Sequence, residues 1–263
     1  MKNILLTVIV ASTLGAVAAF SASGAWAADG DNFSLAAGFD YSSGKYGSSD
    51  TTSILSMPVI GMYQSGTWVF KLTVPYVRVS GVGVVLPGGK RLNAATAVTT
   101  TTSTTQSGLG DIVVAAAYNV YSGSENNLAV DLTGKIKFGT ADTGLGTGRN
   151  DYAAQVDAYK SFDSFTAMGS LGYEVLGSPA GVDMNNVAYG ILGGNYQFTD
   201  QTGSGAEIKL SQKPSATGAE QRELTVYASH WFDDNIKIRG YVLKGFADGS
   251  PDSGIGVLVT SSF

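Results

Sequence analysis

The sequence contains no cysteine and only one histidine, His230, among its 263 residues. Without cysteine the chain can form no disulfide, no cysteine-zinc site and no thiol nucleophile. Charged residues are scarce, at 14% of the chain, where an ordinary soluble domain has about 25%. The net charge of −5 argues against nucleic-acid binding, because neutralising phosphates requires clustered Lys and Arg. Glycine, by contrast, is abundant with 35 positions, which is typical of a bacterial outer-membrane β-barrel rather than a soluble enzyme.

The first 27 residues have the pattern of a secretory signal peptide. Lys2 precedes an apolar run from Ile4 to Phe20, and Ala25-Trp26-Ala27 places small residues at the −3 and −1 positions of a cleavage site. We expect cleavage after Ala27, so that residues 1–27 direct export and residues 28–263 form one domain. An uncleaved membrane anchor is the alternative interpretation.

The remaining sequence alternates between apolar and polar residues, as strands do. In residues 127–139, Leu128, Val130 and Leu132 fall on one side, and Asp131, Thr133 and Lys135 fall on the other. Such segments run about ten to thirteen residues, which is long enough to cross a bilayer obliquely and exceeds the usual strand of a soluble sheet. Twelve segments follow this pattern, near residues 33–42, 51–64, 67–80, 109–121, 127–139, 151–162, 165–177, 186–199, 204–212, 222–232, 235–246 and 254–263.

The connections alternate between short turns and longer loops rich in Gly, Ser, Thr and Asp. This arrangement predicts an all-β fold, a 12-stranded antiparallel transmembrane β-barrel of the bacterial outer membrane, with both termini periplasmic and an N-terminal signal peptide. We expect a monomer in contact with outer-membrane lipids. The terminal Phe263 resembles the signal recognised by the barrel assembly machinery. Aromatic residues near strand ends predict the two interfacial girdles: Trp68, Tyr118, Tyr121, Tyr152, Tyr196 and Trp231.

Charged residues within the strands occupy the side opposite the apolar face, which predicts a charged lumen, because Lys or Arg facing lipid at mid-membrane costs about 2–4 kcal/mol. Arg78 joins this set if the third strand changes parity near Pro75. Opposite charges on neighbouring strands, such as Lys135 and Lys137 beside Asp157, are expected to pair. They either bind the strands together or form a polar constriction that screens permeants. The predicted lumen-lining residues are Asp40, Lys71, Arg78, Asp111, Asp131, Lys135, Lys137, Asp157, Glu174, Glu207, Lys209, Glu223, Lys237 and Arg239.

Three stretches resemble one family of outer-membrane transporters. They are Ser107-Gly108-Leu109-Gly110-Asp111, the run GTADTGLGTGRND at residues 139–151, and RGYVLKG at residues 239–245 followed by Asp248 to Asp252. The chain is similar in these stretches to the family named for a putative MetA pathway of phenol degradation. The resemblance implies a barrel channel for small, often hydrophobic or aromatic, compounds.

The predicted function is therefore passive uptake of small, hydrophobic or aromatic molecules, with no cofactor and no metal. A structural or adhesive barrel with a filled lumen is the second interpretation. The third is a barrel lipid hydrolase, which would use His230. Its neighbour Ser229 would face the opposite side of the strand, so it could not serve as the nucleophile without a bulge.

Two further features concern the permeation path. Residues 81–108 form the longest predicted connection, and we expect this loop to fold over or into the barrel mouth. Pro58 and Pro75 lie at similar heights in consecutive strands, and neither can donate a backbone hydrogen bond. They predict a weak seam in the wall around the second and third strands. The alternative is a fully paired wall with both prolines where no donor is needed.

Overall fold

The computed structural model describes residues 31–81, 85–86, 90–91 and 104–263. The predicted signal peptide and most of the predicted loop at residues 81–108 lie outside these ranges. In the described part of the chain, no helix is long and apolar enough to cross a membrane. The strands are β1 (Asn32–Gly44), β2 (Thr52–Ser65), β3 (Trp68–Gly81), β4 (Val85–Leu86), β5 (Lys90–Arg91), β6 (Thr104–Leu109), β7 (Val113–Gly123), β8 (Leu128–Lys137), β9 (Asp151–Phe162), β10 (Phe165–Val175), β11 (Val187–Gln197), β12 (Thr202–Ser211), β13 (Gln221–Trp231), β14 (Ile236–Gly245) and β15 (Ser253–Ser262).

The strands form a closed antiparallel barrel. Each strand pairs with its neighbours in sequence, and β1 pairs with β15 from Ser34 opposite Ser262 to Ser43 opposite Ser253. β6 and β7 together make a single stave, the fourth stave, because both pair with β3. The short pair β4 and β5 forms a separate hairpin. The predicted 12-stranded barrel is therefore confirmed, although the fourth strand begins at Thr104 rather than near residue 109.

Side chains alternate between the two faces of the wall. On β8, Asp131 has no exposed surface, whereas its neighbour Leu132 is 48% exposed. This is the reverse of a soluble protein, where the apolar residue would be buried. The apolar exterior is stable because it faces hydrocarbon, and closure pairs backbone groups that lipid could not satisfy.

Aromatic side chains on the outer surface gather at both ends of the barrel. Near the periplasmic turns, Trp68 packs against Tyr118 and Phe70, with ring centroids 4.8 and 5.8 Å apart. At the opposite end, Tyr152 is among the exposed aromatic residues. Trp231 departs from the predicted girdle. It has the same parity as the buried Tyr227, and the Lys237 ammonium lies over its ring at 5.0 Å, so it faces the lumen.

Three tyrosines lie flat against the inner wall over glycines of the adjacent strand. Their pairings are Tyr189 with Gly172, Tyr227 with Gly205 and Tyr241 with Gly256, each directly opposite in register. A Cβ added at any of these glycines would overlap the facing ring. Glycine is therefore required at these positions because the facing tyrosine ring leaves no room for a side chain, and not because the backbone conformation demands it.

Replacing Gly256 by Ala is expected to lower the free energy of unfolding by about 1–3 kcal/mol, because the Tyr241 ring must move into an already packed lumen. The measurement is urea unfolding of the barrel in lipid vesicles. Gly240→Ala is the matched control, since a Cβ there meets only one atom, at 3.9 Å. Equal losses in both variants would contradict the role assigned to the ring.

Candidate functional site

The structure places thirteen of the fourteen predicted lumen residues on or against the inner face. Three of them, Asp111, Lys137 and Glu174, are partly buried. The other ten are buried: Asp40, Lys71, Asp131, Lys135, Asp157, Glu207, Lys209, Glu223, Lys237 and Arg239.

Arg78 is the exception and lies on the exposed outer face of β3. Its neighbour Val77 is fully buried, and the odd-numbered positions face inward along the whole strand. The predicted change of parity near Pro75 does not occur in β3, because the irregularity belongs to the facing strand. Arg78 is opposite Ser107, close to the extracellular end of the wall.

At the extracellular end of β8, one lysine holds two carboxylates from different elements. The Lys137 ammonium lies 2.9 Å from Asp111 and 2.9 Å from Asp151. The same carboxylates also accept backbone hydrogen bonds, Asp111 from Ala141 and Asp151 from Gly177, both at 2.9 Å. This cluster therefore connects the fourth stave, β8 and β9 to the loops above them.

In the middle of the lumen, amide and hydroxyl groups form hydrogen bonds with the charged side chains. Asp157 accepts hydrogen bonds from Gln155 and Ser170, both at 2.5 Å, and from Thr133 at 3.2 Å. The Lys135 ammonium donates to Gln155 at 2.5 Å and to the Tyr189 hydroxyl at 3.3 Å. Among the described residues, Lys209 and Glu223, 3.8 Å apart, form a pair of opposite charges of the predicted kind.

Another part of the lumen holds polar atoms with no hydrogen bond among the described residues. The Arg239 guanidinium lies over the Tyr227 ring at 3.7 Å, but none of its three nitrogens is hydrogen-bonded there. Oxygen atoms without a partner also occur at Asp40, Ser56, Asp131, Glu207 and Tyr227. Such groups cost free energy when they are kept from water.

The lumen is filled at this level. Long side chains reach furthest toward the barrel axis, yet Arg239 is only 2% exposed, and Lys71 and Lys135 are 6% exposed. Little of these long side chains is therefore open to water at this level of the lumen. A molecule that travels along the axis must displace them.

Pro58 and Pro75 are direct partners in the continuous register of β2 and β3. Since neither nitrogen carries a hydrogen, this pair must be of the type that exchanges no hydrogen bonds, and each missing donor faces the strand on the other side. The pairing is interrupted on both of those sides. β1 and β2 skip Gly38 and Phe39, which are opposite Pro58 and its neighbour Met57.

The second interruption breaks the fourth stave. β3 pairs with β7 as far as Thr73 and resumes with β6 at Tyr76, so two residues of β3 face residues 110–112. The extra residue is a β-bulge, and the Gly110 amide donates to the Pro75 carbonyl at 2.8 Å. Within the described residues, β6 pairs on one side only, because β8 ends at Lys137.

A loop covers the wall where β8 is missing. This loop, residues 138–150, is called the latch loop below. The Asp142 amide donates to the Leu109 carbonyl at 2.9 Å, and the Leu109 amide donates to the Asp142 carboxylate at 2.8 Å. Leu145 is 2% exposed, so the loop folds back onto the barrel. This role of Asp142 was not predicted from the sequence. The available signal was Leu145, the one large apolar residue amid glycines and threonines.

His230 lies on the outer face of β13. Its Nδ1 is 2.9 Å from the Thr202 hydroxyl, and its ring packs edge-on against Phe232 at 5.2 Å. Ser229 faces the other side, as expected from strand parity. No group of three His, Asp or Glu side chains that could hold a metal ion occurs in the described ranges.

A closed 12-stranded barrel with a lipid-facing apolar exterior, aromatic girdles and a charged interior defines a transmembrane β-barrel of the bacterial outer membrane. The chain belongs to the family described as "Putative MetA-pathway of phenol degradation", whose model matches residues 49–257. The family resemblance predicted from the sequence is thereby confirmed, and no curated protein matches the sequence.

Solved structures share the fold at low sequence identity. The COG4313 outer membrane channel from Pseudomonas putida F1 has a TM-score of 0.65 and 13% identity, covering 89% of this chain and 96% of that one. The NanC porin has a TM-score of 0.53 and 12% identity, with 88% and 98% covered. The β domain of the Bordetella autotransporter BrkA has a TM-score of 0.50 and 11% identity, with 89% and 99% covered.

Proposed function

We propose that this barrel is a passive channel for small, hydrophobic or aromatic molecules. Membership of a family named for phenol degradation supports the substrate class, and the similar fold of an outer membrane channel supports transport. No cofactor is needed, because the permeant moves down its own concentration gradient.

The observation that carries the proposal is the break in the wall beside a filled lumen. A polar, packed lumen hinders an apolar molecule that travels along the axis. The bulge at residues 110–112 and the one-sided pairing of β6 offer another route, from the mouth sideways into the bilayer under the latch loop. An apolar molecule gains free energy by entering hydrocarbon rather than the aqueous periplasm.

The test is uptake of a panel of aromatic and aliphatic compounds by cells with and without the protein. We expect uptake of monocyclic aromatic compounds to rise several-fold with the protein, and uptake of charged solutes of similar size to change little. Equal uptake of every compound with and without the folded barrel would contradict the proposal.

A structural barrel without transport is the second candidate, and the burial of Arg239 and the lumen lysines favours it. Conductance in planar bilayers and uptake together separate the two. A barrel that neither conducts ions nor passes any compound of the panel has a structural role.

The enzyme alternative is tested by comparing lipid hydrolysis by the native protein with that by His230→Ala. We propose that neither protein hydrolyses lipid.

We also propose that the barrel is a monomer and that assembly machinery recognises Phe263. This residue is 73% exposed, its ring stacks on Phe33 at 6.1 Å, and its amide donates to the Phe33 carbonyl at 2.8 Å. The aromatic ring is therefore presented at the junction of the first and last strands.

A further inference from the structure

A buried tyrosine occupies the extracellular mouth, in the loop between β1 and β2. Tyr46 is 4% exposed and packs against Ile54 and Val77, with Val79 beside them. These four residues are called the mouth cluster below. Ser42, on the inner face of β1, is the cross-strand partner of Ile54. The cluster is an apolar patch on the inner face of the wall, and it holds one aromatic ring with a hydroxyl group.

The backbone at Tyr46 is unusual for a tyrosine. Its φ is +47° and that of Gly47 is +72°, and the Ser48 amide donates to the Lys45 carbonyl at 2.9 Å. These features define a type I′ turn, whose central positions favour Asn and Gly. A tyrosine in a left-handed conformation is retained here at a conformational cost, and burial of its ring in the mouth cluster offsets that cost.

Unpaired polar atoms lie directly below the ring. Asp40 and Ser56 are cross-strand partners on the inner wall, one row beneath Ser42 and Ile54. Asp40 is 7% exposed and Ser56 fully buried, yet no described group hydrogen-bonds Asp40 Oδ1 or Ser56 Oγ. Ser56 is also the cross-strand partner of Val77, a member of the mouth cluster, which places these polar groups next to the cluster.

We propose that the mouth cluster, with Asp40 and Ser56, is the binding site for a monocyclic phenol, and that Tyr46 occupies it when no permeant is bound. The ligand ring replaces the Tyr46 ring on Ile54, Val77 and Val79. Its hydroxyl donates to Asp40 and accepts from Ser56, because a hydroxyl is both a donor and an acceptor. An aromatic hydrocarbon fits the apolar patch but leaves both polar groups unpaired. This inference rests on the proposed channel function and names its substrate class.

The test compares phenol and toluene as probes on the full-length barrel, with binding measured by calorimetry in detergent. Tyr46→Asn keeps a residue suited to the turn and removes the competing ring, so it should tighten phenol binding by about fivefold or more. Tyr41→Asn is the matched control, since Tyr41 is an outward tyrosine at the same end of β1, bonded to Ser53. Its phenol affinity should equal that of the native protein.

Ser56→Ala tests the polar half of the site. In the Tyr46→Asn background it should weaken phenol binding by about fivefold and leave toluene binding unchanged, because only phenol uses the hydroxyl. Unchanged phenol affinity in Tyr46→Asn, or equal weakening of both probes by Ser56→Ala, would overturn the inference. Loss of heat-modifiable mobility on gels identifies a variant that fails to fold, and Asp40→Asn then replaces Ser56→Ala.

Uptake separates failure of this inference from failure of the channel function. If the native barrel passes aromatic compounds but its phenol affinity does not depend on Tyr46 and Ser56, the inference fails and the channel function stands. If the native barrel passes no compound of the panel, the channel function fails, whatever the binding results.

Discussion

A disulfide between Gly108→Cys and Asp142→Cys is expected to abolish uptake of apolar compounds, with a loss of at least about tenfold. A Cβ built at Gly108 lies 3.1 Å from the Cβ of Asp142, slightly less than the 3.5–4.5 Å usual in disulfides, so a small shift suffices. The bond would fix the latch loop to the fourth stave and close the sideways route. Because the native chain has no cysteine, no other disulfide competes.

The measurement is uptake of toluene under oxidising conditions and again after a reductant. Uptake should return on reduction, and ion conductance along the lumen should be the same in both states. Each single cysteine variant serves as a control for loss of the native side chain and for crowding at Gly108. Full toluene uptake with the disulfide formed would show that apolar molecules do not leave beneath the latch loop.

Charge reversal of Lys137 should have the second largest effect. The ammonium lies between Asp111 and Asp151, at 2.9 Å from each. In Lys137→Glu three carboxylates meet with no cation between them. Removing one partner from a fully buried ion pair lowers the free energy of unfolding by about 3–5 kcal/mol. Lys137 is 19% exposed, so water relieves part of this cost. We expect the latch loop to detach, with a several-fold rise in conductance and a shift toward cation selectivity.

Planar-bilayer recordings of conductance and reversal potential test this expectation. Leu132→Thr, on the lipid face of the same strand, should change neither quantity. Lys137→Met separates loss of the ion pairs from reversal of charge, and it should loosen the loop with a smaller change in selectivity. Native conductance and selectivity in Lys137→Glu would contradict a role for this cluster in the permeation path.

Strand number and inside-outside orientation could be predicted from the sequence because both follow from local alternation. Lipid on one side and a polar lumen on the other impose a period of two on each strand, as in β8, where Asp131 and Leu132 have opposite burial. The fourth strand was predicted less well. Its bulge at residues 110–112 depends on Pro75 of the facing strand, and such a pairing cannot be derived from either segment alone.

The residues of the candidate site could be predicted only where their inward orientation follows from the alternation along a strand. Thirteen inward charges follow from alternation, and Arg78 was misplaced because the irregularity at Pro75 was assigned to the wrong strand. The partners of these charges were not predictable, since Asp157 is satisfied by side chains from three strands. Tyr46 was missed for a similar reason. Its loop sequence shows no sign that the ring folds inward, and its contacts come from strands that follow it in the chain.

The one-sided pairing of β6 makes the wall uneven in its resistance to local unfolding. Among the described residues, most staves exchange backbone hydrogen bonds with two neighbours, whereas β6 does so with β3, and its far edge has the two bonds between Leu109 and Asp142. Amides there need a smaller opening free energy to exchange with solvent than amides in β11 or β12. In hydrogen-exchange measurements the amides of Gln106 and Gly108, which point to β3, should therefore lose protection while the rest of the barrel stays folded, so that β6 opens as a separate cooperative unit.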